Sequence, residues 1–152
     1  MLLSDYLTEE RVTILKARTK FEVIDEMIDT MMNGLEDVTR NDLAEAVYER
    51  EGLMSTGIGL GIAIPHVRLA GLRDAAVAVG ISRGGIDDYE SIDGAPVHIV
   101  VLIIAPQGRH DLYIRLLAKI VGLLKDPEHN RAIVGAADTS AIYSTLTGGD
   151  EE

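Results

Sequence analysis

The chain has 152 residues, 47% apolar and 26% charged, which suits one domain with its own core and is short for two. Its formal charge of −11 comes without a basic stripe, which argues against nucleic acid as a partner, because only clustered Lys and Arg displace a backbone's counterions. There is no cysteine, which excludes disulfides, thiolate metal sites and thiol nucleophiles and fits a reducing compartment.

Val12 to Leu15 is a short β-branched and apolar run that reads as a strand. Thr19 and Glu22 have the spacing of a capping box and predict a helix start. Phe21, Ile24, Met27, Ile28, Met31 and Leu35 then recur at helical spacing, and Gly34 can end that helix in a left-handed conformation. Thr39 caps a second predicted helix that carries Leu43, Ala46, Val47 and Arg50 and runs out at Gly52. Gly61 to Ile64, Ala75 to Ile81 and Val97 to Ala105 read as three strands, the last of them nearly continuous Val and Ile as in a strand covered on both faces. Asp111 to Leu124 repeats leucine and isoleucine at helical spacing. Asp126-Pro127 is a cap followed by proline at the first helical position, and a last helix covers Thr139 to Leu146.

The predicted order is therefore βααβββααα, and helices before and after a buried sheet imply a layered α/β domain. One domain is expected over residues 1–147, with 148–152 as a loose acidic tail that has nothing apolar to anchor it. The N-terminus MLLSDYLTEER lacks the basic and apolar regions of a signal peptide. The longest apolar run, Val97 to Ala105, is interrupted by His98 and falls far short of the roughly 20 residues of a membrane helix. A cytoplasmic protein without membrane insertion is the expectation.

Gly57-Ile58-Gly59-Leu60-Gly61 invites a nucleotide-binding reading and fails it. The dinucleotide fingerprint needs glycine where Ile62 stands, followed by a helix, and a P-loop needs Gly-Lys-Ser/Thr. These glycines more simply let one backbone pass close to another, although their N–H groups could serve a nearby phosphoryl group. His66 follows Ile62-Ala63-Ile64-Pro65, where a strand ends in a rigid turn. A histidine there is either a satisfied structural residue or a nitrogen nucleophile, since neutral imidazole is nucleophilic near neutral pH. His110 opens the helix after Pro106-Gln107-Gly108-Arg109. Beside His66 it could hold that ring's tautomer or bond a phosphoryl oxygen; as a metal pair the two lack a third ligand. His98 in an apolar strand and His129 at a polar helix start read as packing and surface residues. Arg50 is either a cation at a helix C-terminus or a guanidinium fork for an anion.

The stretch Arg50-Glu51-Gly52-Leu53-Met54-Ser55-Thr56-Gly57-Ile58-Gly59-Leu60-Gly61-Ile62-Ala63-Ile64-Pro65-His66 closely resembles the active-histidine signature of enzyme IIA domains of the mannitol/fructose type. These belong to the bacterial phosphoenolpyruvate-dependent sugar phosphotransferase system and include its nitrogen-regulatory branch. The resemblance extends through Gly84 to Asp88, through Asp93-Gly94-Ala95-Pro96-Val97, and through Ala105-Pro106 with His110 and its leucine-rich helix. It implies a three-layer α/β/α sandwich around a mixed sheet. It also implies that His66 is phosphorylated, that His110 is the second active-site histidine and that Arg50 lies near the phosphoryl group. The donor would be the phosphocarrier HPr or its nitrogen-branch relative, and sugar-type members pass the group to a cysteine of a IIB domain.

The expected function is thus that of a phosphotransferase component, a phosphohistidine carrier needing no metal or cofactor. The long Ser-Thr-Gly-Ile-Gly signature and the lack of a IIB portion in this chain favour a regulatory role. A sugar-transport IIA handing phosphate to a separate IIB domain is the alternative. Val67, where the family usually has a small residue, is expected to crowd the imidazole, and it motivates a third reading as a binding module that is no longer phosphorylated. The sequence leaves the sugar, the regulatory target and the oligomeric state open, a homodimer included.

Overall fold

The computed structural model describes residues 1–151; Glu152, the end of the expected tail, lies outside them. The elements are β1 (Val12–Ile14), α1 (Lys20–Met31), α2 (Arg40–Leu53), β2 (Gly57–Gly59), β3 (Ile62–Ala63), β4 (His66–Leu69), β5 (Ala76–Ile86), β6 (Val97–Pro106), α3 (His110–Lys125), α4 (Pro127–Val134) and α5 (Thr139–Thr147), with short 3₁₀ turns near both ends. The sheet runs β1-β5-β6-β3-β2 and is mixed: β5 and β6 are antiparallel, whereas β1 joins β5 and β3 joins β6 in parallel. β4 continues along the β3 side of β6, pairing His66 with Ile103 through Leu69 with Pro106.

The sandwich expected from the resemblance is present, and β6 explains it. Val101, Ile103 and Ala105 face one core, shared with Leu112, Leu116, Ile120 and Leu124 of α3, Ile133 of α4 and Ile142 of α5. Val100, Leu102 and Ile104 face the other, with Val23, Ile24, Met27 and Ile28 of α1 and Leu43 and Val47 of α2. Period-two alternation along an apolar strand produces two dry faces, and each fully buried Leu or Ile contributes about 1.5–3 kcal/mol.

Several expectations are corrected. The element order has six strands, because β2 and β4 were not legible. β2 is three residues, two of them glycine, and it forms through close approach: Gly57 bridges to Ser91, where a Cβ would overlap the Glu90 carbonyl. β4 restarts the strand directly after Pro65, whose own carbonyl accepts from Ile103 N–H at 3.0 Å, so the ladder to β6 bridges the interruption. Phe21 is 61% exposed, against Tyr48 with ring centroids 6.1 Å apart, and Val23 takes its place in the core. The capping box of α1 is absent: Thr19 Oγ1 donates to Glu22 Oε1 at 2.8 Å, while Lys20 N–H goes to Asp88. Thr39 and Asp126 do cap α2 and α4. Within the segment expected to be loose, Asp150 accepts from Leu3 and Ser4 N–H at 2.8 and 2.9 Å, which ties the two ends of the chain together.

Glycine positions offer a direct test of this packing. Gly57→Ala should lower stability by about 1–3 kcal/mol, because its methyl group meets the Glu90 carbonyl and, at 2.9 Å, Ser91 Cα. Gly52→Ala, near the end of α2 with nothing within 4 Å of its Cβ, should be neutral or stabilise by up to about 1 kcal/mol. Urea midpoints at constant m-value check both signs.

Candidate functional site

Among the described residues β4 pairs only with β6, which leaves its other edge unpaired, and there a cleft of about 610 Å³ forms between the two helical layers. Arg50 reaches it from the last turn of α2, His66 and Arg68 from β4, Gln107 from the turn after β6 and Tyr113 from the first turn of α3. His66 and Arg68 share a face because strand side chains alternate. Val67, between them, also borders the cleft but is 7% exposed and packs into the α1/α2 core. The expected crowding of the imidazole by Val67 is therefore corrected: the pleat turns that side chain away.

His66 is half-buried, and its Nδ1 lies 2.5 Å from the Ile64 carbonyl. A carbonyl only accepts, so Nδ1 carries the proton and Nε2 keeps its lone pair. Burial pushes the His66 pKa below its ordinary value, the Ile64 hydrogen bond works against that, and the Arg50 charge adds to the lowering. Burial thus favours the neutral ring. Arg50 Nη1 donates to the Met54 carbonyl at 2.9 Å, which fixes the guanidinium at the end of its own helix. The two readings of Arg50 thus describe one arrangement, a helix-terminal cation that also borders the cleft.

His110 stands differently. It opens α3 as expected but does not border the cleft; its Nδ1 is 3.4 Å from Arg68 Nη1, and the Tyr113 ring lies 6.2 Å from its own and 5.4 Å from that of His66. Because guanidinium only donates, His110 Nδ1 is the acceptor. The structure brings His66 and Arg50 to one cleft, with His110 beside Arg68 of that cleft. Arg68, Gln107 and Tyr113 were missed by sequence reasoning. Arg68 had a signal, two residues past His66, but it becomes readable only once 66–69 is known to be a strand.

The remaining candidates fall outside the cleft. His98 Nδ1 bonds the Ser82 carbonyl at 2.8 Å, and His129 pairs with Asp126 at 3.5 Å. The glycine run is a hairpin turn whose Gly59, Leu60 and Gly61 all have positive φ. Two of its N–H groups are already engaged: those of Gly59 and Leu60 donate to Ser91 Oγ and Asp93 Oδ2 at 3.0 and 2.9 Å. Among the described residues, no three His, Asp or Glu side chains gather as metal donors, and no helix is long and apolar enough to cross a membrane.

The chain is similar to known proteins along nearly its whole length. Over 152 residues the chain is 34% identical to the fructose-specific EIIABC component of the phosphotransferase system of Bacillus subtilis; the match takes in 99% of this chain and spans about a quarter, 24%, of that protein. It is 32% identical to a nitrogen regulatory protein of Bradyrhizobium diazoefficiens, covering 96% of this chain and 95% of that one. The fold superposes on nitrogen regulatory protein IIA-Ntr from Neisseria meningitidis with a TM-score of 0.87 at 23% identity, covering 95% and 99% of the two chains. On IIA mannitol from Escherichia coli the TM-score is 0.75 at 22% identity, covering 91% and 97%. Residues 5–148 match the family described as the phosphoenolpyruvate-dependent sugar phosphotransferase system, EIIA 2, and the chain is a member of that family.

Proposed function

We propose that His66 accepts a phosphoryl group on Nε2 from a phosphohistidine of an HPr-like carrier, in the cytoplasm, and that the phosphorylated protein serves as a regulatory signal. The neutral Nε2 lone pair forms the new N–P bond as the donor's N–P bond breaks, and the electron pair returns to the donor imidazole. The proton on Nδ1 stays in place, and the Ile64 carbonyl accepts it more strongly as the ring gains positive charge. Phosphoryl transfer asks a protein mainly for positioning and charge stabilisation, and Arg50 and Arg68 supply the charge. His110 holds Arg68 at the rim. The observation that carries this reading is the imidazole at the open cleft with its tautomer held by Ile64 and Arg50 beside it.

The regulatory role rests on likeness to proteins named nitrogen regulatory, one of which this chain matches almost end to end. The added charge would change which surface a partner finds at the cleft. A second reading, relay to a IIB domain in sugar transport, is favoured by the 34% identity to a fructose-specific component, and a structure of the IIA and phosphorylated IIB mannitol proteins of Escherichia coli shows such a pair for a chain of this fold.

Incubation with phosphoenolpyruvate, enzyme I and an HPr-like protein should place an acid-labile, alkali-stable phosphoryl group on the wild type and none on His66→Ala. Label surviving in that variant overturns the site. Discharge of the label to an added IIB domain would move the balance to transport. Arg50→Gln should slow transfer by about 10- to 100-fold, the effect of losing one charge-assisted hydrogen bond of about 1.5–3 kcal/mol in the transition state.

The acid side is tested separately. Because burial disfavours the imidazolium, a nitrogen-detected NMR titration should place the His66 midpoint below that of a free histidine peptide, with Nδ1 protonated above it. Competence as an acceptor should persist as pH falls past the ordinary imidazole value and vanish only below the folded midpoint. A midpoint raised above the peptide's would contradict the proposed neutral nucleophile.

A further inference from the structure

Behind the cleft lies a group of buried polar side chains that the proposed transfer does not use. Glu51 is 5% exposed, Lys20 6%, Thr56 3% and Tyr89 2%. Lys20 Nζ sits 3.0 Å from Glu51 Oε1, and the Glu51 carboxylate accepts from Thr56 twice, from N–H at 3.0 Å and from Oγ1 at 2.7 Å. With its proton committed to Glu51, Thr56 Oγ1 takes the 2.7 Å bond from the Tyr89 hydroxyl as acceptor, and burial keeps that phenol protonated. Lys20 also reaches Glu90 at 2.6 Å, and the Glu90 carbonyl accepts from Ser55 Oγ at 2.6 Å. Each buried charge and hydroxyl named here has a partner.

Such a pair is a weak source of stability, since apolar residues of similar volume often serve a core as well. What distinguishes this one is where its bonds lead. Segment 54–56, pinned by Glu51, offers two backbone carbonyls. The Met54 carbonyl receives Arg50 Nη1. The Thr56 carbonyl receives Ile64 N–H at 3.0 Å, and the carbonyl of that same residue holds His66 Nδ1. One carboxylate therefore anchors, through three residues of chain, both the guanidinium and the peptide that orients the imidazole.

We infer that Glu51, held by Lys20 and acting through Thr56, is a positioning residue that sets the tautomer and orientation of His66 together with the placement of Arg50. The inference rests on the proposal that His66 is the phosphoryl acceptor, but its first readout does not. The two faces of the site belong to different elements, α2 for Arg50 and the β3–β4 break for His66; apolar packing joins these elements, and the Glu51 bonds add a directional tie to both. Fixing reacting groups in advance is how a protein contributes to phosphoryl transfer, and a small displacement far from the chemistry is enough to slow it.

The test compares Thr56→Val, which keeps the shape and removes the hydroxyl, with Thr56→Ser, which keeps the hydroxyl, and with Glu51→Gln. Nitrogen NMR of the His66 ring should show a single Nδ1-protonated tautomer in wild type and Thr56→Ser. Both tautomers should appear in Thr56→Val and Glu51→Gln. Phosphoryl transfer from the HPr-like donor should fall about 10- to 100-fold in those two, with KM for the donor within about twofold, and Thr56→Ser should restore it. Tyr89→Phe, a milder change at the same hydroxyl, keeps the comparison available if Glu51→Gln does not fold, and it should show the same tautomer mixing to a smaller degree. An unchanged His66 tautomer in a folded Thr56→Val protein of lower melting temperature would overturn the inference and leave the group a fastener of the fold. Mixed tautomers in a protein whose wild type takes no label would uphold the positioning and remove the proposed carrier function instead.

Discussion

The bond between the His66 ring and the Ile64 carbonyl is the constraint around which this site is arranged. Successive carbonyls of a strand point to opposite edges, and Ile64 turns its polar groups to the side away from β6, where its N–H meets Thr56. Pro65 brings no N–H between β3 and β4, its carbonyl keeps the ladder to Ile103, and the Ile64 carbonyl, on the other side, takes the imidazole. The sheet keeps its register across the gap, with Ala63 opposite Val100 and His66 opposite Ile103. The ring is thus held by rigid backbone on one nitrogen and left open on the other.

The two-faced sheet explains why the site lies where it does. β6 is buried on both sides, so α1 and α2 cover one core and α3, α4 and α5 the other. Beyond the Gly57 end of β2 the β4 edge is unpaired among the described residues, and there side chains from both layers can meet. Arg50 comes from one layer and Tyr113 from the other, with His66 and Arg68 on the edge between them. A cleft at such a seam needs no insertion or lid. It follows from β2 reaching only to Gly57 opposite Ala63, while β6 runs on to Pro106.

Charge sets a second condition. A chain of formal charge −11 repels the anion it is proposed to carry, and the mean field alone would oppose approach. Arg50 and Arg68 line the cleft against one carboxylate, Glu49, so the nearest charges are net positive, and near charges count for more once salt screens beyond about 8–10 Å. Lys20, the buried cation behind the site, is neutralised by Glu51 and Glu90 and adds little to the potential at the cleft.

What the sequence determined by itself were the features that depend on nearest neighbours: the α1, α2 and α3 stripes, the Thr39 and Asp126 caps, the doubly buried β6 and the long signature ending at His66. These follow from periodicity and local hydrogen bonding, which a linear reading can see. Tertiary structure alone decided β2 and β4, because one forms only when Gly57 can lie against Glu90 and the other only when β6 is alongside. It placed Phe21 outside and Val23 inside, turned Val67 away from the imidazole, occupied the N–H groups of Gly59 and Leu60, and set Arg68 rather than His110 at the cleft. Each of these depends on a partner 20 or more residues away or on the facing of a strand. A one-residue change of facing reverses which side chains meet, and composition carries no record of it.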